Sequence, residues 1–259
     1  MNSIVIGAGG WGTAISVMLH KTGTPVTLWH FEAETKAEME TRHTNSKYLP
    51  GVLLPEGISV TNDLAETAGK DLVVIAVPSF ALRKTVQNLK PYIDPHAIVV
   101  SATKGLEQQS HKRMSVILGE ELSNPIVVLS GPSHAEEVGR CIPTTVVAAG
   151  QPQHTEKVQD AMMNDVFRIY SSTDVAGVEY GGALKNAIAL AAGICDGFGL
   201  GDNTKAALMS RGIVEMTRLG VALGAKAETF SGLSGMGDLI ETCTSMHSRN
   251  RRAGILIGQ

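Results

Sequence analysis

Ser3-Ile4-Val5-Ile6-Gly7-Ala8-Gly9-Gly10-Trp11-Gly12-Thr13 carries an apolar β-type run straight into G-x-G-x-x-G and on into helical spacing. Each glycine has a mechanical task in such a turn. Gly7 permits the tight reversal, Gly9 lets a pyrophosphate approach the backbone, and Gly12 lets helix pack on strand. The helix start beyond supplies free N–H donors and a partial positive charge for phosphates. This placement points to a dinucleotide, against the plainer alternative that the glycines serve backbone geometry alone. A P-loop is excluded, because no Gly-Lys-[Ser/Thr] follows.

Outward from this turn the chain alternates. Runs of continuous β-type residues occupy 3–6, 26–29, 72–76, 98–101 and 126–129, with helical spacing over 13–21, 32–42, 80–89 and 112–122. Continuous rather than alternating apolar runs belong to strands buried on both faces. Strand, helix, strand in repetition predicts a parallel sheet with right-handed crossovers. Two more strands, 144–149 and 167–170, are expected around a helix near 155–163. Residues 45–57, with Pro50-Gly51 and Pro55-Glu56-Gly57, read as a surface loop.

After about Val178 the strand runs stop. Gly181, Gly182, Ala183, Ala187, Ala189, Ala191, Ala192 and Gly193 predict a buried helix that packs close to its neighbours. A second helix over 204–223 ends at Gly224, and a third helical region spans 232–258. The expected fold class is α/β: a Rossmann-type, mostly parallel sheet over residues 1–178, then an all-helical domain over 179–259. The chain closes at Ile257-Gly258-Gln259 in what still reads as helix, so a longer protein with a fuller helical domain is expected.

Composition narrows the classes. With 43% apolar and 18% charged residues the chain can fill a core, and 4% aromatics make that core aliphatic. A net charge of −3 gives no general electrostatic case for nucleic acid or an acidic membrane. Cys141, Cys195 and Cys243 are too scattered for a disulfide framework or a zinc site. The histidines show no ligand spacing, so no metal is expected. No run reaches the ~18 apolar residues of a membrane span, and the first strand begins too early to leave room for a signal peptide. A soluble cytoplasmic protein is the expectation.

Lys185 stands out among small and apolar neighbours, followed by Asn186. Burial there lowers an ammonium pKa toward neutrality, and a second cation lowers it further, which suits proton exchange with a substrate hydroxyl. The alternative is a snorkelling lysine. Lys104, in Ser101-Ala102-Thr103-Lys104-Gly105, follows a strand and so faces the ligand crevice; it is a candidate substrate contact and second cation. Gly131-Pro132-Ser133-His134-Ala135-Glu136 follows the next strand, with Ser133 as expected N-cap and Glu136 closing a capping box. Ser248-Arg249-Asn250-Arg251-Arg252 is the one basic cluster. Arg249 suits a small phosphorylated ligand, with Ser248 and Asn250 adding donors, whereas Arg251 and Arg252 read as a solvated face. Asp238 either orients a lysine or caps the segment after it. Cys243 reads as a buried small residue. At the adenosine end, Glu32 is in range of a ribose and no arginine stands ready for a 2′-phosphate. His30, Phe31, Lys47 and Tyr48 either line that end or are solvated, so the choice between NAD and NADP stays open.

Gly7–Gly12, Ala102–Glu107, Ser130–Ala135, Gly181–Asn186, Gly235–Leu239 and Ser248–Arg252, in this order, resemble the bacterial NAD(P)-dependent glycerol-3-phosphate dehydrogenases. The resemblance implies interconversion of sn-glycerol 3-phosphate and dihydroxyacetone phosphate, with NAD or NADP (NADPH foremost), feeding phospholipid synthesis. It implies Lys185 as proton acceptor or donor beside Lys104 and Asp238. Gly131, Ser133, Asp238, Ser248, Arg249 and Asn250 match substrate-contacting positions. Gly10, Trp11, Phe31, Lys104, Ala135 and Arg249 match cofactor-contacting ones, and a homodimer is implied as well. Gly10 departs from the serine that many members carry, and members continue for several dozen residues beyond Gln259. Two rivals remain: a β-hydroxyacid dehydrogenase, against which the Ser248-Arg249-Asn250 cluster argues, and a dinucleotide sensor without turnover.

Overall fold

The computed structural model describes residues 1–259. The elements run β1 (Ser3–Ile6), α1 (Gly10–Lys21), β2 (Val26–Trp29), α2 (Ala33–Arg42), β3 (Thr44–Asn45), β4 (Leu49–Leu53), β5 (Ile58–Thr61), β6 (Leu72–Ile75), α3 (Ser79–Leu89) and β7 (Ile98–Ser101). They continue with α4 (Met114–Glu121), β8 (Ile126–Ser130), α5 (Ala135–Gly139), β9 (Thr144–Ala149), α6 (Pro152–Met162) and β10 (Phe167–Ser172). From there the chain is helical: α7 (Val175–Gly197), α8 (Gly201–Ala222), α9 (Ala227–Phe230), a π-turn at Leu233–Gly237, α10 (Asp238–Thr244) and α11 (Arg249–Gly258).

Eight strands form one sheet in the order β10-β9-β8-β7-β6-β1-β2-β5, parallel except where β9 runs against β8. The continuous apolar runs are buried as expected, with β1, β6 and β7 wholly covered. Apolar residues of α1, α5 and α6 close one face, and those of α3 and α4 close the other. The strand order reverses between β1 and β6, so the crevice beyond the carboxyl ends of these two strands is where a ligand binds in this class of sheet.

Residues 45–57 do not form a simple surface loop. They hold the strand β4, which pairs antiparallel with β3, and Asn45, Leu49, Val52 and Leu54 are buried. Pro50-Gly51 lies inside β4, in a strand pair whose register shifts between Thr44 and Asn45, with Gly51 at φ +78°; the connecting turn is residues 46–48. The hairpin braces the glycine turn: Asn45 Nδ2 donates to the Ala8 carbonyl and to Thr13 Oγ1, both at 2.8 Å. The edge strand β5, Ile58-Ser59-Val60-Thr61, buries only Ile58 and so lacks the continuous apolar run that marks the inner strands.

The helical part hangs on α7. Asp174 caps it, accepting from Gly177 N–H, Lys226 N–H and Thr229 Oγ1. Small residues set the spacing of its neighbours, as expected. A Cβ at Gly193 would fall 2.0 Å from the Arg251 carbonyl oxygen, and one at Gly254 would fall 2.1 Å from that of Leu190, so α7 and α11 cross almost in backbone contact. Arg251 therefore lies in this interface and not on a solvated face; its Nε reaches Asp196 at 2.8 Å and Nη1 the Thr244 carbonyl at 2.7 Å. Arg252 is exposed. No helix is long and apolar enough to cross a membrane.

Candidate active site and cofactor cleft

The glycine turn opens α1 at the reversal point. Gly7 takes φ +110°, and a Cβ there would lie 2.8 Å from the Ala76 carbonyl oxygen at the end of β6. At Gly12 a Cβ would lie 1.9 Å from the Gly7 carbonyl oxygen, so helix and turn touch only because Gly12 carries no side chain. Gly9 is different: nothing lies within 4 Å of the point its Cβ would occupy. No side chain caps α1, which leaves its first amides aimed outward. Trp11 Nε1 is buried with no hydrogen-bond partner. An open backbone cradle, uncapped amides and an orphaned indole donor fit a dinucleotide pyrophosphate. At Gly10 a Cβ would meet the Tyr48 carbonyl oxygen at 2.7 Å, so a serine there would require the Tyr48 backbone to shift. Ala135, the first residue of α5, faces Gly10 from the other side, 3.4 Å from the same point.

At the far end of the cleft, beyond β2, Glu32 accepts from Lys47 Nζ at 2.6 Å and Thr35 Oγ1 at 2.7 Å. Lys47 foremost holds this carboxyl down at about 2. His30 is buried against the rings of Phe31 and Tyr48, at 4.8 and 5.3 Å, and Phe31 is exposed. A paired carboxylate and ammonium thus stand where a ribose diol or a 2′-phosphate would be met.

The chemistry-bearing groups converge beyond β7 and β8. Thr103 donates to the Val77 carbonyl at 2.8 Å and so fixes the loop that carries Lys104. Lys104 Nζ donates to the Gly131 carbonyl at 2.9 Å and to Asp238 Oδ2 at 3.0 Å. Asp238 is fully buried, and its Oδ1 pairs with Lys185 Nζ. Lys185 also donates to Thr242 Oγ1 at 2.6 Å. The π-turn sets this geometry, since a Cβ at Gly181 would sit 2.2 Å from the Ser234 carbonyl oxygen; the turn therefore lies on α7 one helical turn before Lys185. Further back, Glu179 clamps α7 to the start of α4 through Arg113 Nη1 at 2.6 Å and the Ser115 amide at 2.7 Å. Burial, then Lys104, pushes the Lys185 ammonium down to about 8, while Asp238 pulls the other way.

Ser133 does not cap a helix. Its hydroxyl donates to the Gly131 carbonyl at 2.9 Å, α5 starts at Ala135 behind His134, and Glu136 closes no capping box. Asp238 orients lysines and is itself the first residue of α10. Ser248 caps α11, with its Oγ accepting from Arg251 N–H at 3.2 Å; Arg249 is exposed without an ion pair, and Asn250 is half-buried beside it. These three do not touch Lys185, but the α7–α11 crossing at Gly193 sets them relative to it, about two turns along α7. Burial raises the Cys243 thiol to about 11, so it is no nucleophile. Sequence reasoning missed Thr242, although its place four residues after Asp238 puts both on one helical face.

A doubly wound sheet with an open glycine cradle at its reversal point, joined to helices that present a depressed lysine, defines a nicotinamide-linked dehydrogenase. The chain belongs to the NAD-dependent glycerol-3-phosphate dehydrogenase family: the family's N-terminal profile matches residues 3–156 and its C-terminal profile residues 174–259. It is 56% identical over 257 residues to a glycerol-3-phosphate dehydrogenase [NAD(P)+] of Moorella thermoacetica, covering 98% of this chain and 77% of that one. A relative of the same name from Fusobacterium nucleatum is 55% identical, with 98% and 78% covered. Among solved structures, the glycerol-3-phosphate dehydrogenase of Coxiella burnetii superposes with a TM-score of 0.95 at 40% identity, over 99% of this chain and 80% of that one. That of Plasmodium falciparum gives 0.90 at 28% identity, over 100% and 76%.

Proposed function

We propose that this chain interconverts sn-glycerol 3-phosphate and dihydroxyacetone phosphate with NAD(P)(H), Lys185 exchanging the proton. The observation that carries this is the single buried carboxylate of Asp238 shared by Lys104 and Lys185. When bound, the nicotinamide supplies or accepts the hydride at C2 of the substrate. Lys185 gives its proton to the C2 oxygen in reduction and takes it back in oxidation. Asp238 aims the ammonium, and Lys104 holds the other carboxylate oxygen and keeps Lys185 near its working range. Arg249, with Ser248 and Asn250, grips the phosphate by charge-assisted hydrogen bonds. Gly131 and Ser133 border the substrate.

Residues 1–178 serve the dinucleotide, through Gly7, Gly9, Gly10, Trp11, Gly12, Phe31, Tyr48, Lys104, Ala135 and, from the helical side, Arg249; residues 179–259 serve catalysis. The product glycerol 3-phosphate feeds phospholipid synthesis in the cytoplasm, and the working unit is a homodimer. The test is loss of reduced-nicotinamide absorbance, with NADH and NADPH compared, on adding dihydroxyacetone phosphate, unphosphorylated dihydroxyacetone or a 3-oxo acid. Turnover confined to the phosphorylated ketone is expected. Turnover of the 3-oxo acid with none of dihydroxyacetone phosphate overturns the assignment.

A further inference from the structure

Each reduction strips a proton from Lys185, whose side chain is only 6% exposed, so the lysine needs a supply from solvent. A second row of polar groups leads away from it. Thr242 Oγ1, which accepts from Lys185, lies 3.3 Å from Glu241 Oε2, and that oxygen is itself 4.0 Å from Lys185 Nζ. The other oxygen, Oε1, accepts from the His134 amide at 2.9 Å and lies 3.6 Å from His134 Nε2, a buried nitrogen with no hydrogen-bond partner. The His134 ring stands 5.6 Å from that of His247, which is 39% exposed and 3.8 Å from Glu136.

We propose that Thr242, Glu241 and His134 form a proton path from the solvent-facing His247 to Lys185, with Glu241 as its relay carboxylate. The inference rests on Lys185 being the proton donor, as read above. After reduction the free amine of Lys185 takes the Thr242 hydroxyl proton while Thr242 takes one from the Glu241 carboxylic acid. Glu241 is reprotonated by the His134 imidazolium, and His134 from water through His247. One proton enters per hydride delivered, and only N–H and O–H bonds change. While Lys185 is charged the Thr242 proton rests on the Asp238 carbonyl at 2.6 Å; it relays when the hydroxyl turns to the free Lys185 amine and its oxygen accepts from the Glu241 carboxylic acid. The charged groups facing Glu241 are Asp238 on its own helix, Lys185 on α7, Lys104 beyond β7 and His134 before α5. Burial and then Asp238 raise the Glu241 carboxyl; burial and then Lys185 lower His134. The two proton affinities approach one another, as transfer between them requires.

The experiment is a stopped-flow single turnover of the full chain with NADH and dihydroxyacetone phosphate in weak buffer with a pH indicator. NADH loss and proton uptake are recorded together. In the unaltered protein they coincide. Glu241→Gln keeps an acceptor for the His134 amide and cannot carry a proton, so uptake trails NADH loss by about tenfold or more, and added imidazole removes the lag. His134→Gln breaks the path one step further out and gives the same lag, should Glu241→Gln melt early. Uptake that tracks NADH loss in the folded variant overturns the path. If Lys185→Ala keeps full turnover, the underlying assignment fails instead, so the two failures are distinguishable.

Discussion

Asp238 divides one carboxylate between two lysines: Oδ1 pairs with Lys185 Nζ, and Oδ2 lies 3.0 Å from Lys104 Nζ. The partners come from sequence positions 53 and 134 residues away, and the carboxylate between them is wholly buried. Two cations share one anion, so the site keeps an excess positive charge that works against the Lys185 ammonium.

That arrangement fixes the pH behaviour. Reduction needs the ammonium, so its kcat falls as pH rises through about 8; oxidation needs the free amine and rises through the same value. Asp238→Asn removes the attraction and moves the inflection down by roughly one unit or more, and Lys104→Met removes the repulsion and moves it up. The pH dependence of kcat in both variants checks this. Inflections that shift in the same direction contradict it.

Stability should respond to pH in the opposite sense to the reduction rate. The Lys185 ammonium loses its proton near 8 in the folded chain and near 10.5 when unfolded, so between these values the unfolded chain binds more protons and stability climbs with pH. Lys185→Met leaves Lys104 on Asp238 and removes the burden of the buried cation. It should stabilise the fold by roughly 2–3 kcal/mol below pH 8, with the gap closing as pH approaches the unfolded value. Urea unfolding at several pH values measures this, and a variant less stable than the parent at pH 7 refutes it.

The phosphate grip depends on a backbone crossing far from the chemistry. A Cβ at Gly193 would collide with the Arg251 carbonyl oxygen, so Gly193→Ala displaces the helix start carrying Ser248, Arg249 and Asn250. The KM for dihydroxyacetone phosphate should rise about tenfold with kcat changing less, and Arg249→Ala should raise it about a hundredfold. NADH affinity is the control, since it should change far less in Arg249→Ala than the KM for dihydroxyacetone phosphate does.

What the residues disclose follows the range of the interactions involved. The turn at Gly7–Gly12 is legible because its glycines answer to local demands, and Lys185 is legible because a charge among small residues is anomalous in itself. The sharing of Asp238 is not, since it depends on the packing of the π-turn against Gly181. Asn45 is not legible, because Pro50-Gly51 carries the residue types of a turn and yet sits inside a strand flanked by the buried Leu49 and Val52. Arg251 was read with its basic neighbours, although helical rotation turns it toward Asp196 while Arg252 points to water.

The most direct test sets Lys185→Ala beside the unaltered chain, with NADH affinity measured by fluorescence and turnover by absorbance on adding dihydroxyacetone phosphate. Turnover should fall by roughly 10² to 10⁴ with NADH affinity nearly unchanged, as expected for loss of a general acid. A variant that keeps its turnover, or loses NADH binding in proportion, would contradict the assignment of Lys185 as the proton-exchanging group.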